Sequence, residues 1–413
     1  MKRRVVITGV GAVTCIGTGR QGFWDGIKKK RSGISFINRF NAEVYNARCA
    51  GQIHDFVASD YFPPHKLKRL DRYSQFALLI AKQALDDAGV AYSTDEPTFD
   101  VGCSFGTALG GITTAEIQHE RFIAEGRKSI PPALALQVFG GSAHSNIAIN
   151  YGLRGYGTTN SNSCASGTVA IGEAYRVIRD GLAEKMVAGA AEAPLSPLTY
   201  GAFDVIKTMA VEQEDAATAC RPFDVSRTGF VMAEGGASVM LETLDDARAR
   251  GAEIICEVVG YSLNNDAHHM TSSLPGGASA IKAMEDSINE AGIEPGDIDY
   301  INAHASSTMM NDDSERDAII KVFGEKTPPL SGTKAYYGHP LGASGAIEGA
   351  ICALAMQESY IPPTLNCHHT DTPEGFDIVQ LEERHKEMTY VLSNSFGFGG
   401  INSTLVFKKY DGS

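Results

Sequence analysis

The chain reads as an α/β protein made of two similar halves, near 1–250 and 251–413, joined into one rigid body. Three observations predict this. Short apolar runs alternate with amphipathic helical stretches from one end to the other, the pattern of predominantly covered sheets. Three segments recur in the same order: Leu85–Val90 resembles Ile288–Ile293, Cys164–Ala174 resembles Gly342–Ala350, and Gly235–Leu241 resembles Gly399–Leu405. No low-complexity stretch or flexible linker separates the halves.

The elements follow in order. Arg4–Thr8 is an apolar strand, and the glycines of Gly9-Val10-Gly11 read as the turn that ends it. Gln21–Arg31 is a helix closing on a basic run. Gln75–Ala88 carries apolar residues at helical spacing and stops at Gly89. Val101–Phe105 is a strand running into the small residues of 106–111, and Val169–Arg179 is a helix-forming run. Met186–Gly189, Ala237–Leu241, Ile254–Tyr261, Asp299–Ala303, Tyr390–Ser393 and Thr404–Lys408 read as further strands.

Composition narrows the class. With 413 residues and 43% hydrophobic content, the chain buries a large core. No stretch of about 18 apolar residues occurs, so no membrane span is indicated. The basic start Met1-Lys2-Arg3-Arg4 is followed by too short an apolar run for a signal peptide. Eight cysteines lie scattered without paired spacing, which argues against a disulfide framework and for a reducing, cytoplasmic setting. Cys367-His368-His369 is metal-like in composition but lacks a partner cluster.

Three loops carry the chemistry. Cys164 stands between small hydroxylated residues and a helix-forming run, so its thiol sits at or near a helix N-terminus. Exposed N–H groups there favour thiolate and are able to hold an oxyanion. Taken alone, the residue reads equally as a buried structural cysteine. An apolar run ends abruptly at His304, which places that imidazole at the sheet's carboxyl edge, where α/β proteins put their ligands. His339 precedes a second small-residue helix start, the one that resembles the Cys164 segment. One cysteine and two histidines in such loops make a nucleophile-plus-base set. If the halves pack about a pseudo-twofold, the two helix starts approach one another.

These segments, together with 221–235, His269-Met270-Thr271-Ser272, Pro362–Asn366 and Asn394–Gly400, resemble the elongating β-ketoacyl-acyl carrier protein synthases of the thiolase superfamily, type II most closely. The resemblance spans essentially the whole chain. Thiolases that use CoA carry a second cysteine where this chain has His339, and initiating synthases an asparagine.

The resemblance implies a thiolase-like fold of five layers, αβαβα. It implies a decarboxylative Claisen condensation in which Cys164 takes an acyl group from a carrier-protein thioester. The N–H groups of Cys164 and Phe398 hold the oxyanion. His304 and His339 stabilise the enolate left when malonyl-carrier protein loses CO2. Lys334 and Glu348 support them, and Phe398 with Phe396 gates the acyl site. Thr271, Ser306 and Thr308 face the phosphopantetheine arm, and Leu109 limits the acyl pocket. No metal or redox cofactor is required. The implied partners are an acyl carrier protein and a second copy of the chain.

Net charge is −13, and carrier proteins are acidic, so docking requires a local basic patch; Lys66, Lys68, Arg69, Arg127, Lys128 and Lys207 supply the candidates. Departures from the family pattern cluster at the site. His304-Ala305-Ser306-Ser307-Thr308 replaces the usual His-Gly-Thr-Ser-Thr, and a Cβ beside the histidine strains the loop if φ is positive there. Asn162-Ser163 stands where Thr-Ala is usual. Met309-Met310, Ala335-Tyr336-Tyr337, Pro340 and the 131–136 segment are also unusual. They hold open a specialised polyketide or polyene ketosynthase beside a fatty-acid role. Two further readings are a non-catalytic chain-length subunit of a ketosynthase heterodimer, which generally lacks the nucleophile, and a CoA-dependent thiolase.

Overall fold

The computed structural model describes residues 2–212 and 214–412. Ten strands lie on the path of its main sheet. They are β1 (Val5–Thr14), β2 (Val101–Gly106), β3 (Gly157–Asn160), β4 (Lys185–Glu192), β5 (Gly235–Thr243), β6 (Cys256–Asn265), β7 (Tyr300–Asn302), β8 (Leu330–Ser331), β9 (Tyr390–Gly397) and β10 (Ile401–Lys408). The spatial order is β8-β7-β9-β10-β6-β1-β5-β4-β2-β3, with Gly17–Thr18 pairing beside β1. Outward from the β1/β6 contact, both arms run first, fifth, fourth, second, third. In each arm the two inner pairings are antiparallel and the two outer ones parallel. The arms meet through a short antiparallel register, Val5↔Val258 to Ile7↔Cys256.

Five helices complete the layers: α1 (Arg72–Asp87), α2 (Ser166–Arg179), α3 (Ala278–Ala291), α4 (Met309–Phe323) and α5 (Ser344–Glu358). Helices α2 and α5 pack on each other and on strands of both arms, forming the middle layer. α1 covers β1, β5 and β4 on one outer face. α3, with α4 against it, covers β6 and β10 on the other. The arrangement is αβαβα. One core lies in the middle layer and one under each outer layer.

Local sequence explains these elements. Asp71 caps α1 by accepting from the Tyr73 N–H, and Tyr73, Phe76, Ala77, Ile80, Ala81 and Ala84 fall on its buried face. The helix stops at Gly89, whose φ of +65° suits glycine. In α5 every residue from Ser344 to Met356 is buried, as a helix sandwiched between two sheets requires.

Two expectations about the elements fail. Gly9-Val10-Gly11 is not a turn; β1 continues to Thr14, with a register shift between Ile7 and Gly9. A Cβ on Gly9 would lie 2.4 Å from the Ala84 carbonyl oxygen, and one on Gly11 2.1 Å from that of Ile80. These glycines let α1 press onto the strand. The first helix is also shorter than the 21–31 expected, closing at Lys28. Among the described residues no helix is long and apolar enough to cross a membrane.

Candidate active site

The two middle helices begin alike. Each follows a short 3-10 turn: Ser163–Ala165 leads into α2, and Leu341–Ala343 into α5. Their first turns meet through glycine. A Cβ on Gly167 would lie 2.4 Å from the Ala346 nitrogen, and one on Gly345 1.9 Å from Thr168 Oγ1. Small residues at both starts therefore bring the Cys164 turn and the His339 loop together. Cys164, His304 and His339 all line one cavity of about 420 Å³, with Phe396, Phe398, Thr271, Ser306, Thr308 and Lys207 also on its walls.

His304 lies just past β7 and is buried. Its N–H and that of Ala305 donate to the two oxygens of Glu315, each at 2.8 Å, so one carboxylate on α4 fixes the loop. Lys334, fully buried, donates from Nζ to the His304 carbonyl and to Glu348 Oε1. Its ammonium also stands 3.4 Å from His304 Nδ1. An ammonium only donates, so Nδ1 accepts and Nε2 carries the proton of the neutral ring. His339 is pinned through its backbone, its N–H donating to the Val231 carbonyl at 2.6 Å and its carbonyl accepting from Ala233 at 3.1 Å. His339 Nδ1 lies 2.7 Å from Ser344 Oγ, and a hydroxyl donating there leaves Nε2 protonated as well. The two rings stand edge to face, centroids 5.4 Å apart.

Burial, then the Lys334 charge, hold both imidazoles well below the ordinary histidine value, so both are neutral at pH 7. Burial pushes Glu348 up to about 7 against the pull of Lys334, and Glu315 likewise to about 7. Cys164 corrects the sequence reading. Burial raises its thiol above the ordinary value and outweighs the Ser163 hydroxyl, the Phe398 N–H and the Lys334 charge, all of which pull it down. At a buried sulfur, desolvation works against the helix start.

Phe396, near the end of β9, stands 6.2 Å from the His304 ring, and Phe398 stacks on Phe203 at 6.3 Å. Phe398 occupies the β9–β10 hairpin, where Gly399 and Gly400 take φ of +85° and +73°. That turn is tied to the Thr271 segment by Gly399 N–H donating to the Met270 carbonyl at 2.7 Å. Ser306 and Thr308 share a hydrogen bond of 2.9 Å, and Thr308 caps α4.

Leu109 does not line this cavity. Its N–H donates to Glu192 at 3.1 Å. Lys66, Lys68 and Arg69 are exposed in and after the short helix Pro64–Leu67, and Arg127 and Lys128 in the turn Arg127–Ser129. Lys207 alone of the six basic candidates reaches the cavity wall. The backbone N–H groups of His368 and His369 donate to Asp224.

Three buried carboxylates escaped the sequence reading. Glu315 holds the His304 loop. Asp312 accepts from the Ser307 and Phe223 N–H groups. Glu192, at the end of β4, accepts from the Thr107 hydroxyl and the N–H groups of Ala108, Leu109 and Gly342, tying both halves together beside Cys164. The small-residue loops opposite them were the available signal, since their unpaired N–H groups require acceptors.

Residues 2–247 match the family model "Beta-ketoacyl synthase, N-terminal domain", and residues 255–368 match "Beta-ketoacyl synthase, C-terminal domain". The chain is 37% identical over 412 residues to a 3-oxoacyl-[acyl-carrier-protein] synthase 2 of Staphylococcus aureus (strain COL), covering 99% of each. It is 38% identical over 411 residues to the protein of that name from Synechocystis, again covering 99% of each. Among solved structures, a ketosynthase of a type II polyketide synthase in complex with its acyl-carrier protein superposes with a TM-score of 0.89 at 32% identity. The alignment covers 99% of this chain and 100% of that one. The ishigamide ketosynthase/chain length factor gives 0.92 at 31% identity, with the same coverage.

Proposed function

We propose that this chain, which belongs to the beta-ketoacyl synthase family, extends an acyl chain by two carbons through decarboxylative Claisen condensation with malonyl-acyl carrier protein. One observation carries this: a cysteine from one half and two neutral imidazoles from the other open onto a single cavity.

In this reading Cys164 Sγ attacks the thioester carbonyl of an acyl-carrier protein. The new C–S bond replaces the one to the phosphopantetheine sulfur, which leaves as the thiol. The N–H groups of Cys164 and Phe398 receive the oxyanion. Malonyl-carrier protein then enters and its C–CO2 bond breaks. The electron pair stays on the thioester as an enolate, whose oxygen accepts from Nε2–H of His304 and His339. Neutral donors suit this step, because they stabilise the enolate without quenching it. The carbanion attacks the acyl-Cys carbonyl, a C–C bond forms and the thiolate is released.

The buried Lys334–Glu348 pair fixes the His304 tautomer and backbone. Phe398 gates the acyl site with Phe396 beside it. Thr271, Ser306 and Thr308 receive the pantetheine arm. Lys207 at the cavity wall, with Lys66, Lys68, Arg69, Arg127 and Lys128, docks the acidic carrier protein. The chain divides at 250/251, works in the cytoplasm and pairs with a second copy of itself.

The polyketide ketosynthases among the structural relatives, and the altered loops at the site, support a specialised product as a second reading beside fatty-acid synthesis. Incubation with acyl-carrier proteins of graded chain length, followed by intact mass measurement, tests both. An acyl adduct on Cys164 is expected, and its preferred mass separates the two readings. A chain that takes no acyl group from any carrier protein would refute the condensing activity.

A further inference from the structure

The residue before the nucleophile departs from the family pattern, and the structure gives that departure a place. Ser163 opens the 3-10 turn with φ of +51°, in the left-handed region that L-residues rarely adopt. Its backbone is gripped on two sides. The carbonyl accepts from Ser166 Oγ at 2.7 Å, and β9 presses close enough that a Cβ on Gly397 would lie 3.3 Å from the Ser163 Cβ and 3.1 Å from the Cys164 nitrogen. So constrained, the Ser163 side chain lies on the same side as the thiol, with Oγ 3.8 Å from Cys164 Sγ in donor geometry.

We propose that the Ser163 hydroxyl is a thiolate-stabilising donor of this enzyme, a hydrogen bond to Sγ that the usual alanine at this position does not supply. The inference rests on the condensing reading of Cys164. The hydroxyl donates to the sulfur as the thiol gives up its proton, and again when the thiolate is expelled on carbon–carbon bond formation. An O–H donor is worth more to a charged sulfur than to a neutral one, so it favours ionisation. The site needs such help. Burial and the Glu192 carboxylate oppose the thiolate, while Lys334 and the Phe398 N–H favour it. The imidazoles of His304 and His339 are neutral and add no positive charge. Ser163 is the chain's own addition to the favourable side.

The test is the rate of Cys164 alkylation by iodoacetamide from pH 6 to 10, for the wild-type protein, Ser163→Ala and Ser163→Gly, with site occupancy read by peptide mass. Ala removes the hydroxyl and keeps the Cβ. Gly removes both and relieves the left-handed backbone, so it is folded even where Ala is not. Both variants are expected to react about tenfold more slowly at pH 7, the lower range for a hydrogen bond to a charged group, with the profile displaced upward by about one pH unit. Unchanged profiles in both would overturn the proposal. So would a shift in Gly alone, which would assign the effect to the backbone. If wild-type Cys164 itself is not alkylated selectively, the condensing reading fails instead.

Discussion

The starts of α2 and α5 have nearly the same backbone, a 3-10 turn and then a helix opening on Ser-Gly, yet the proposed reaction gives them different chemistry. In the first the turn holds Cys164. In the second the matching position is Gly342, whose N–H is spent on Glu192, and the reactive side chain is His339, three residues earlier. A duplicated scaffold thus offers two equivalent ledges facing one cavity. In the proposed reaction the first carries the group that forms a covalent bond. The second carries one that only donates a hydrogen bond, backed by the Lys334–His304 arm of its own half. Division of labour arises from which position on the ledge bears the side chain, with no change of fold.

The comparison breaks most sharply when one ledge is emptied. Cys164→Ala is expected to lower condensation on the order of 10⁴-fold or more, as loss of a nucleophile does. CO2 release from malonyl-carrier protein should continue, because the other ledge is intact. His304→Ala or His339→Ala is expected to remove about 10²- to 10⁴-fold from CO2 release. The acyl adduct on Cys164 should still form. Adduct mass and labelled CO2 release, measured on the same three variants, decide it. If all of them lose both steps together, the two ledges are not separable in function.

The next effect is on stability, and it is one-sided. Among the described ion pairs, only Lys334 with Glu348, in the His339 half, has neither side chain exposed at all. Lys334→Met removes the charge that holds Glu348 ionised, so the buried carboxyl must either stay charged and unpaired or take up a proton, and the fold is expected to lose about 3–5 kcal/mol, read from denaturant unfolding. Adding Glu348→Gln should recover much of that loss, because the uncompensated charge is gone. The imidazoles report the same environment. An ordinary histidine at pH 6 is roughly three-quarters protonated. His304 and His339, held well below the ordinary value, should show neutral-ring ¹⁵N signals at that pH with the proton on Nε2. Protonation on Nδ1 would contradict the role given to Lys334.

The ledges were legible in the sequence because their loops carry local signatures: small hydroxylated residues lead into Cys164, an apolar run ends at His304, and His339 precedes a small-residue helix start. Cys164, His304 and His339 stood out for that reason, and the order of repeated segments gave the duplicated architecture. Glu192, Glu315 and Asp312 did not stand out. Glu315 and Asp312 sit in the stretch Asn311-Asp312-Asp313-Ser314-Glu315, which reads as a solvated helix face, and their partners are backbone N–H groups of loops outside that helix. Gly9 and Gly11 misled for a related reason. Their role is to admit α1 against β1, a packing fact invisible to turn chemistry. At Cys164 two influences oppose one another: helix polarity, which is local and visible in the sequence, favours thiolate, whereas burial, which belongs to the whole fold, pushes the thiol up.

The smallest effect concerns the loop that carries His304 to its ledge. Ala305 stands where the family has glycine, and its φ is +39°, so the methyl group is held in a strained backbone. Gly332 lies opposite: a Cβ there would come within 2.7 Å of the Ala305 Cβ and equally close to that of Pro222. The two positions share room for one methyl group. Ala305→Gly alone should stabilise the fold by about 1 kcal/mol through relief of strain, less the entropy glycine adds to the unfolded chain. Gly332→Ala alone should destabilise it by about 1–3 kcal/mol, as overpacking does. Combined, the two should lose less than their sum, since removing one methyl group makes space for the other while Pro222 still resists. A double-mutant cycle on unfolding free energy measures that coupling. Strict additivity would show that the loop accommodates Ala305 without help from Gly332, and the strain would then have to be borne by the Glu315 hydrogen bonds alone.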